Sequence, residues 1–301
     1  MIQESGAEPG DADWDIVSGV GLTAIGVAAV RAMETVHDNP LVTDPYAASF
    51  VRAAASQLPS PLPVTPEEAA RDAALPWFTL SDYVAVRSKF FDEFFTAAGD
   101  AGVGQAVILA AGLDTRAFRL DWPSGMTVFE VDAPLVLAFK DYVLGADGAA
   151  AACDRRTVAS DLREDWRAAL LAAGFDTMRP AAWLAEGLFP YLTMDAQESL
   201  LASVHEISAP GSRFAVEFGD ADMAAMAHEP AIQEAASRVD WDFAALWKAG
   251  ERRNPASWLH DRGWTVTVTS VAAAADHYGR PLDVTPMAIL GASLLISAEA
   301  I

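Results

Sequence analysis

The apolar positions of this chain follow a helical rhythm first and a strand rhythm later, with the change near Gly104. From Ile16 to Val36 apolar residues recur at three- and four-residue spacing, and Asn39-Pro40 ends the run. Pro45 to Ala55 predicts a second helix, with Asp44 as N-cap and Pro45 at the first position. Gln57 to Pro66, which holds Pro59, Pro61, Pro63 and Pro66, predicts a loop or semi-rigid linker. A long helix is expected from about Ser81 to Ala97. Its Tyr83, Val86, Phe90, Phe91, Phe94 and Phe95 form an aromatic stripe, which reads as core more readily than as a binding surface.

Beyond Gly104 short strand-like runs alternate with helical ones. Strands are expected at Ala106–Ala111, Met126–Val131, Thr157–Ala159, Ala181–Ala185, Ser212–Phe218, Trp264–Ser270 and Ser293–Ala298. Helices are expected at Ala133–Leu144, Arg163–Ala173 and Asp195–Ile207. Such alternation predicts an α/β fold around a largely parallel sheet. A helical insertion from Gly219 to about Pro255, carrying Met223, Met226, Trp241, Phe243 and Trp247, interrupts it. The chain thus divides into a helical extension, residues 1–100, and a core, residues 101–301, with the insertion at 219–255. Residues 1 to about 12, polar and holding Gly6, Pro9 and Gly10, are expected to be disordered.

Candidate chemistry concentrates in AVILAAGLDTRAFRLDWPSGMTVFEVD, Ala106 to Asp132. A buried strand enters a turn at Ala110-Ala111-Gly112, and a second strand ends in Asp132, 20 residues after Gly112. A tight glycine turn followed at that distance by a carboxylate is the layout of a nucleotide site at the carboxyl edge of a doubly wound sheet. Glycine lets the backbone approach the ligand, and Asp132 can accept both hydroxyls of a ribose. Glu130, two residues earlier in the same strand, is the fallback. A dinucleotide fingerprint would need a third glycine where Thr115 and Arg116 stand, and no Gly-Lys-Ser/Thr cradle for phosphates is present. A nucleoside without phosphates fits better, and S-adenosylmethionine is the common one.

The runs VILAAGLDTRAFRLDW, VFEVDAPLVLAFK, ASDLRE and AWLAEGLFPYL, in this order, closely resemble the leucine carboxyl methyltransferase-like family of S-adenosylmethionine-dependent methyltransferases. The resemblance runs from Val20-Gly21-Leu22-Thr23-Ala24 to the last strand. It implies a class I methyltransferase-like, doubly wound seven-stranded sheet with the last strand antiparallel, a helical N-terminal extension and a helical lid. It also implies a cofactor site. Asp161 would take the adenine amine, and Leu162 would supply a backbone N–H and an apolar surface for the ring. Glu186 suits the methionine amino group, and Arg87 matches the arginine that pairs with the methionine carboxylate. Tyr191 falls where the family lines the acceptor pocket, with a core aromatic role as the alternative. Ala110 departs from the pattern, replacing the first glycine of Gly-x-Gly, which predicts a tighter turn rather than a dead site. Asp161 could instead cap the following helix, and Asp114 could close the turn with Thr115.

Composition narrows the partners. The formal net charge of −22 repels polyanions, so nucleic acid and anionic membranes are not expected as partners. The stretch Ile16 to Val30 is too short and glycine-containing to cross a bilayer, and the N-terminus lacks a basic signal region. One cysteine, Cys153, excludes an internal disulfide and suits a reducing cytoplasm. The five histidines, His37, His205, His228, His260 and His277, lack metal-ligand spacing, so no metal is expected. A carboxylate acceptor is already ionised near neutral pH and needs no base; a hydroxyl acceptor would prefer one, with His205, His228 or His260 as candidates. The tryptophans, nine in all, favour a flat or hydrophobic small-molecule acceptor, such as a polyketide-type acid, over an acidic protein tail. Homo-oligomerisation through the helical segments is an alternative to their acting as a lid. Two rival activities stay open: a nicotinamide-dependent oxidoreductase, and a protein of this fold that binds the cofactor without transferring methyl.

Overall fold

The computed structural model describes residues 19–58, 60–72, 75–219, 233, 237, 248, 252–283, 290 and 293–301. The expected disordered start and most of the 219–255 insertion, with Met223, Met226, His228, Trp241, Phe243 and Trp247, lie outside the described residues.

Seven strands form one sheet: β1 (Gln105–Leu109), β2 (Thr127–Asp132), β3 (Asp154–Ala159), β4 (Ala182–Ala185), β5 (Arg213–Gly219), β6 (Trp264–Ser270) and β7 (Ser293–Ala300). Their order is β3-β2-β1-β4-β5-β7-β6. The pairs among β1 to β5 are parallel, whereas β7 runs antiparallel to both β5 and β6. This is the doubly wound sheet with an antiparallel last strand that the family resemblance implies.

The strands read as apolar runs because both faces are covered. Along β1, Ala106 and Ile108 face one hydrophobic layer, while Val107 and Leu109 face another. The first layer holds residues of α1 (Gly19–Thr35), α2 (Ala47–Ala54), α4 (Trp77–Asp100) and α6 (Pro134–Ala146). The second holds residues of α7 (Trp166–Ala172), α8 (Met194–Glu206) and α9 (Pro255–His260). Three further short helices are α3 (Pro66–Ala69), α5 (Arg116–Arg119) and α10 (Val271–His277). In the aromatic stripe of α4, Tyr83, Val86, Phe91 and Phe95 are buried, and Phe90 and Phe94 pack partly buried beside them. Core is indeed its main role.

Local chemistry moved several boundaries. Asp44 does not cap α2 from the expected place: the helix starts at Ala47 after Tyr46. Asp44 is buried instead, accepting from Arg31 Nε at 3.0 Å and from the Tyr46 N–H at 3.1 Å. β3 begins three residues earlier than its apolar centre, because Asp154, Arg155 and Arg156 pair with β2 through their backbone. Asp165 caps α7, so that helix begins at Trp166 and not at Arg163.

Candidate functional site

The parallel strands deliver their carboxyl ends to one cavity of about 530 Å³, a size usual for small-molecule sites. Its floor is the turn after β1. Ala110 takes φ +51° and Gly112 φ +46°, both left-handed, and Ala110 is the single non-glycine residue with positive φ among the described residues. The turn is held by the Ala111 N–H donating to Val131 O at 3.1 Å and the Asp114 N–H donating to Ala111 O at 2.8 Å. A Cβ on Gly112 would meet nothing closer than 3.9 Å, so the glycine answers the backbone conformation and leaves open space beside it.

Asp132, at the tip of β2, is fixed by this turn. Its Oδ2 accepts the Gly112 N–H at 2.5 Å, and its Oδ1 accepts the Ala133 N–H at 2.6 Å. Each oxygen keeps a further lone pair for a ligand hydroxyl. Burial pushes its carboxyl above the usual range, against the pull of those two N–H groups. Glu130 does not share the site, which corrects the fallback assignment. It is fully buried, ion-paired to Lys140 Nζ at 2.8 Å and bonded by Arg155 Nη2 at 2.7 Å. A side chain two residues back along β2 lies a full strand step away from the tip, and Glu130 does not line the cavity.

Beyond β3, Asp161 and Leu162 line the cavity. Asp161 accepts the Arg163 N–H at 2.8 Å and pairs with the exposed Arg163 guanidinium, whose hydrogen bonds hold its carboxyl below the usual range. It therefore shapes the turn after β3 as well as facing the cavity. Glu186, just past β4, and Arg87, on α4, meet directly: Arg87 Nε donates to Glu186 Oε1 at 2.8 Å. Tyr191 also lines the cavity and donates from its hydroxyl to Thr23 Oγ1 of α1 at 3.1 Å.

Two further cavity residues, Arg116 and Glu217, are given no role by any motif in the sequence. Arg116 donates from Nε to Asp92 at 2.6 Å and from Nη1 to Glu186 Oε2 at 2.7 Å, and it also pairs with Asp114. Glu217, near the end of β5, accepts from Arg87 Nη1 at 3.0 Å, from the Gly187 N–H at 3.0 Å and from the Tyr83 hydroxyl. A carboxylate inside the apolar run FAVEFG was an available signal, as was Tyr83 four residues before Arg87 on one helix face. In the sequence Arg116 stands only as a residue in place of a glycine, yet Asp114 two residues before it makes the turn that aims it: Asp114 Oδ1 accepts the Arg116 N–H at 2.7 Å. Asp114 closes the turn with Arg116, not with Thr115.

The result is a buried patchwork of charge. Arg87, Arg116 and Arg119 face Asp92, Asp114, Glu186 and Glu217, three guanidiniums against four carboxylates. Burial alone would raise Glu186 and Asp114, but the guanidiniums outweigh it and hold both carboxyls low. Tyr83 is pushed up by burial and by Glu217, so its phenol stays protonated. Arg87 lines the cavity, and among the described residues its Nη2 makes no hydrogen bond to protein. No histidine lines the cavity among the described residues. This removes His205, whose Nδ1 accepts from Trp264 Nε1 at 3.0 Å, and the exposed His260 as bases. Cys153 is equally inert, its thiol pushed up to about 12 chiefly by burial.

Comparisons with known proteins point to one family. A sequence profile described as "Leucine carboxyl methyltransferase" matches residues 24–205. A protein of Saccharopolyspora erythraea described as a "Putative S-adenosyl-L-methionine-dependent methyltransferase" is 46% identical over 286 residues, covering 95% of this chain and 97% of its own. One of Rhodococcus jostii with the same description is 48% identical over 277 residues, covering 91% and 92%. Among solved structures, a methyltransferase described as putative from Thermobifida fusca superposes with a TM-score of 0.51 at 18% identity, covering 91% of this chain and 94% of that one, which is a likeness of fold. The architecture is that of a methyltransferase. The chain belongs to the leucine carboxyl methyltransferase family of S-adenosylmethionine-dependent methyltransferases.

Proposed function

We propose that this enzyme methylates the carboxyl group of a small-molecule acceptor, with S-adenosylmethionine held by Asp132, Gly112, Ala110, Asp161, Leu162, Glu186 and Arg87. The observation that carries the reading is the convergence of these residues on one cavity whose polar groups match the cofactor part by part. Asp132 offers two anchored acceptors for ribose hydroxyls, and Leu162 offers an apolar surface for adenine. Arg87 lines the cavity and keeps Nη2 as a donor for a carboxylate, while Glu186 beside it offers an anion to an ammonium. The carboxylate excess around them suits a ligand with net positive charge. Bound there, the cofactor supplies a methyl group on a sulfonium, ready for in-line displacement.

The residues' part in the reaction is alignment and exclusion of water. Helix α1 covers the cavity with Gly21, Thr23, Ala24, Val27 and Arg31, and Tyr191 is tied to it through Thr23. Together they act as a lid, with Tyr191 on the acceptor side. The absence of a histidine among the described lining residues favours an acceptor that arrives ionised. Glu217 is engaged by Tyr83, Arg87 and Gly187, which makes it an anchor rather than a free base. Lys248, exposed at the rim, adds a cation where an acidic acceptor would enter. Cytoplasmic residence suits the lone cysteine, and no described helix is long and apolar enough to cross a membrane.

The test is mass spectrometry of a panel of polyketide-type acids, hydroxylated analogues and peptides after incubation with the cofactor. The account expects a gain of one methyl on the acids, lost on saponification as an ester is. Methyl gain confined to hydroxyls or to peptides would overturn the acceptor assignment.

A further inference from the structure

Arg87 and Glu186 are each held from two sides. Arg87 gives Nε to Glu186 at 2.8 Å and Nη1 to Glu217 at 3.0 Å. Glu186 offers Oε1 to Arg87 and Oε2 to Arg116, the latter at 2.7 Å. The outer members are themselves braced. Glu217 is fixed by the Gly187 N–H and the Tyr83 hydroxyl, and Arg116 is fixed by Asp92, Asp114 and the Ser88 carbonyl. All six side chains of the row Tyr83–Glu217–Arg87–Glu186–Arg116–Asp92 belong to residues at most 15% exposed at the side chain or buried as a whole. Without Glu217, a guanidinium on a flexible stem could turn and spend both its ends on Glu186. Without Arg116, Glu186 Oε2 would lose its fixed donor, and the carboxylate could turn both oxygens onto Arg87.

We infer that Glu217 and Arg116 are positioning residues: they hold the Arg87–Glu186 pair open, so that its free donors and acceptors receive the amino-acid end of the cofactor. This rests on the cofactor reading given above. Neither residue was singled out by the sequence, and neither needs to touch the ligand. A role in orienting one end of the ligand differs from a general role in folding, and the two ends can be read separately. S-adenosylhomocysteine carries the ammonium and carboxylate; 5′-methylthioadenosine keeps the nucleoside and lacks both.

Calorimetric titration of the full chain with both ligands distinguishes the cases. Wild type should bind S-adenosylhomocysteine and, more weakly, methylthioadenosine. Glu217→Gln should lose affinity for S-adenosylhomocysteine by about tenfold or more, the scale of one hydrogen bond to a charged group, and keep its affinity for methylthioadenosine. Arg116→Lys, which keeps the charge but not the fork, should show the same selective loss to a smaller degree. Equal losses for both ligands, or none, would overturn the inference, with thermal melting as the check on folding. If wild type binds neither ligand, the cofactor reading itself fails instead.

Discussion

At the scale of single residues, the site depends on where one backbone turns. Ala110 holds φ +51°, a conformation that costs a residue with a Cβ about 1–2 kcal/mol. The methyl is tolerated because the turn is pinned by Asp132 and by two backbone hydrogen bonds. Replacing Ala110 with Gly should therefore stabilise the protein by roughly 1 kcal/mol, seen as a rise of about 2 °C in melting temperature, while S-adenosylhomocysteine still binds. A fall in melting temperature would mean that the alanine is not strained. Glu130 gives the complementary case. Glu130→Gln leaves Lys140 buried without its counter-ion and should cost about 3–5 kcal/mol in denaturant unfolding. Ligand affinity of the folded fraction should not change; a parallel loss of affinity would restore Glu130 to the ribose site.

At the scale of elements, α1 and the turn after β1 behave as one unit. Arg31 of α1 donates from Nη2 to Leu113 O at 2.7 Å and from Nε to Asp44, so the helix is bolted to the turn whose glycine faces the cavity. Binding of S-adenosylhomocysteine should slow amide exchange over residues 19–35 as well as over 110–115, measured by mass spectrometry. Protection confined to the turn would argue that α1 is not part of the cover. The sequence showed these elements well wherever burial imposed a period. β1, β2, β4 and β5 were visible as apolar runs because both faces are covered, and the Gly112–Asp132 spacing marked the site. It showed less where polar side chains do the work. β3 begins with Asp154-Arg155-Arg156, which no hydrophobic pattern would include, and the short α5 and α10 carry too little period to stand out. The charge row through Glu217 and Arg116 stayed hidden for another reason. Its members are 130 positions apart for Arg87 and Glu217 and 70 apart for Arg116 and Glu186, so only the fold brings them together.

At the scale of the molecule, stability and binding share a set of buried charges. Glu186 and Asp114 are held below the usual carboxylate range by Arg116 in spite of burial. For groups so depressed, the native state binds protons more weakly than the unfolded chain. Their contribution is therefore complete above roughly pH 4–5, the unfolded range, and is lost as the pH falls through and below it. Melting temperature should drop steeply over that acid range, and Glu186→Gln should make the drop shallower. An acid limb identical in the variant would show that Glu186 is not coupled to the fold in this way. The net charge of −22 adds general repulsion among surface groups near neutrality, and protonating exposed carboxylates relieves it. The difference between variant and wild type, and not the raw curve, isolates the site.

The central claim is that a phosphate-free adenosyl cofactor lies against the Gly112 turn with its ribose on Asp132. Calorimetric titration of S-adenosylhomocysteine into the wild-type protein and into Asp132→Ala tests it most directly, with the melting temperature of each recorded beside it. The account predicts one site per chain in wild type and no measurable binding in a variant that still melts cooperatively. Unchanged affinity in Asp132→Ala would contradict it.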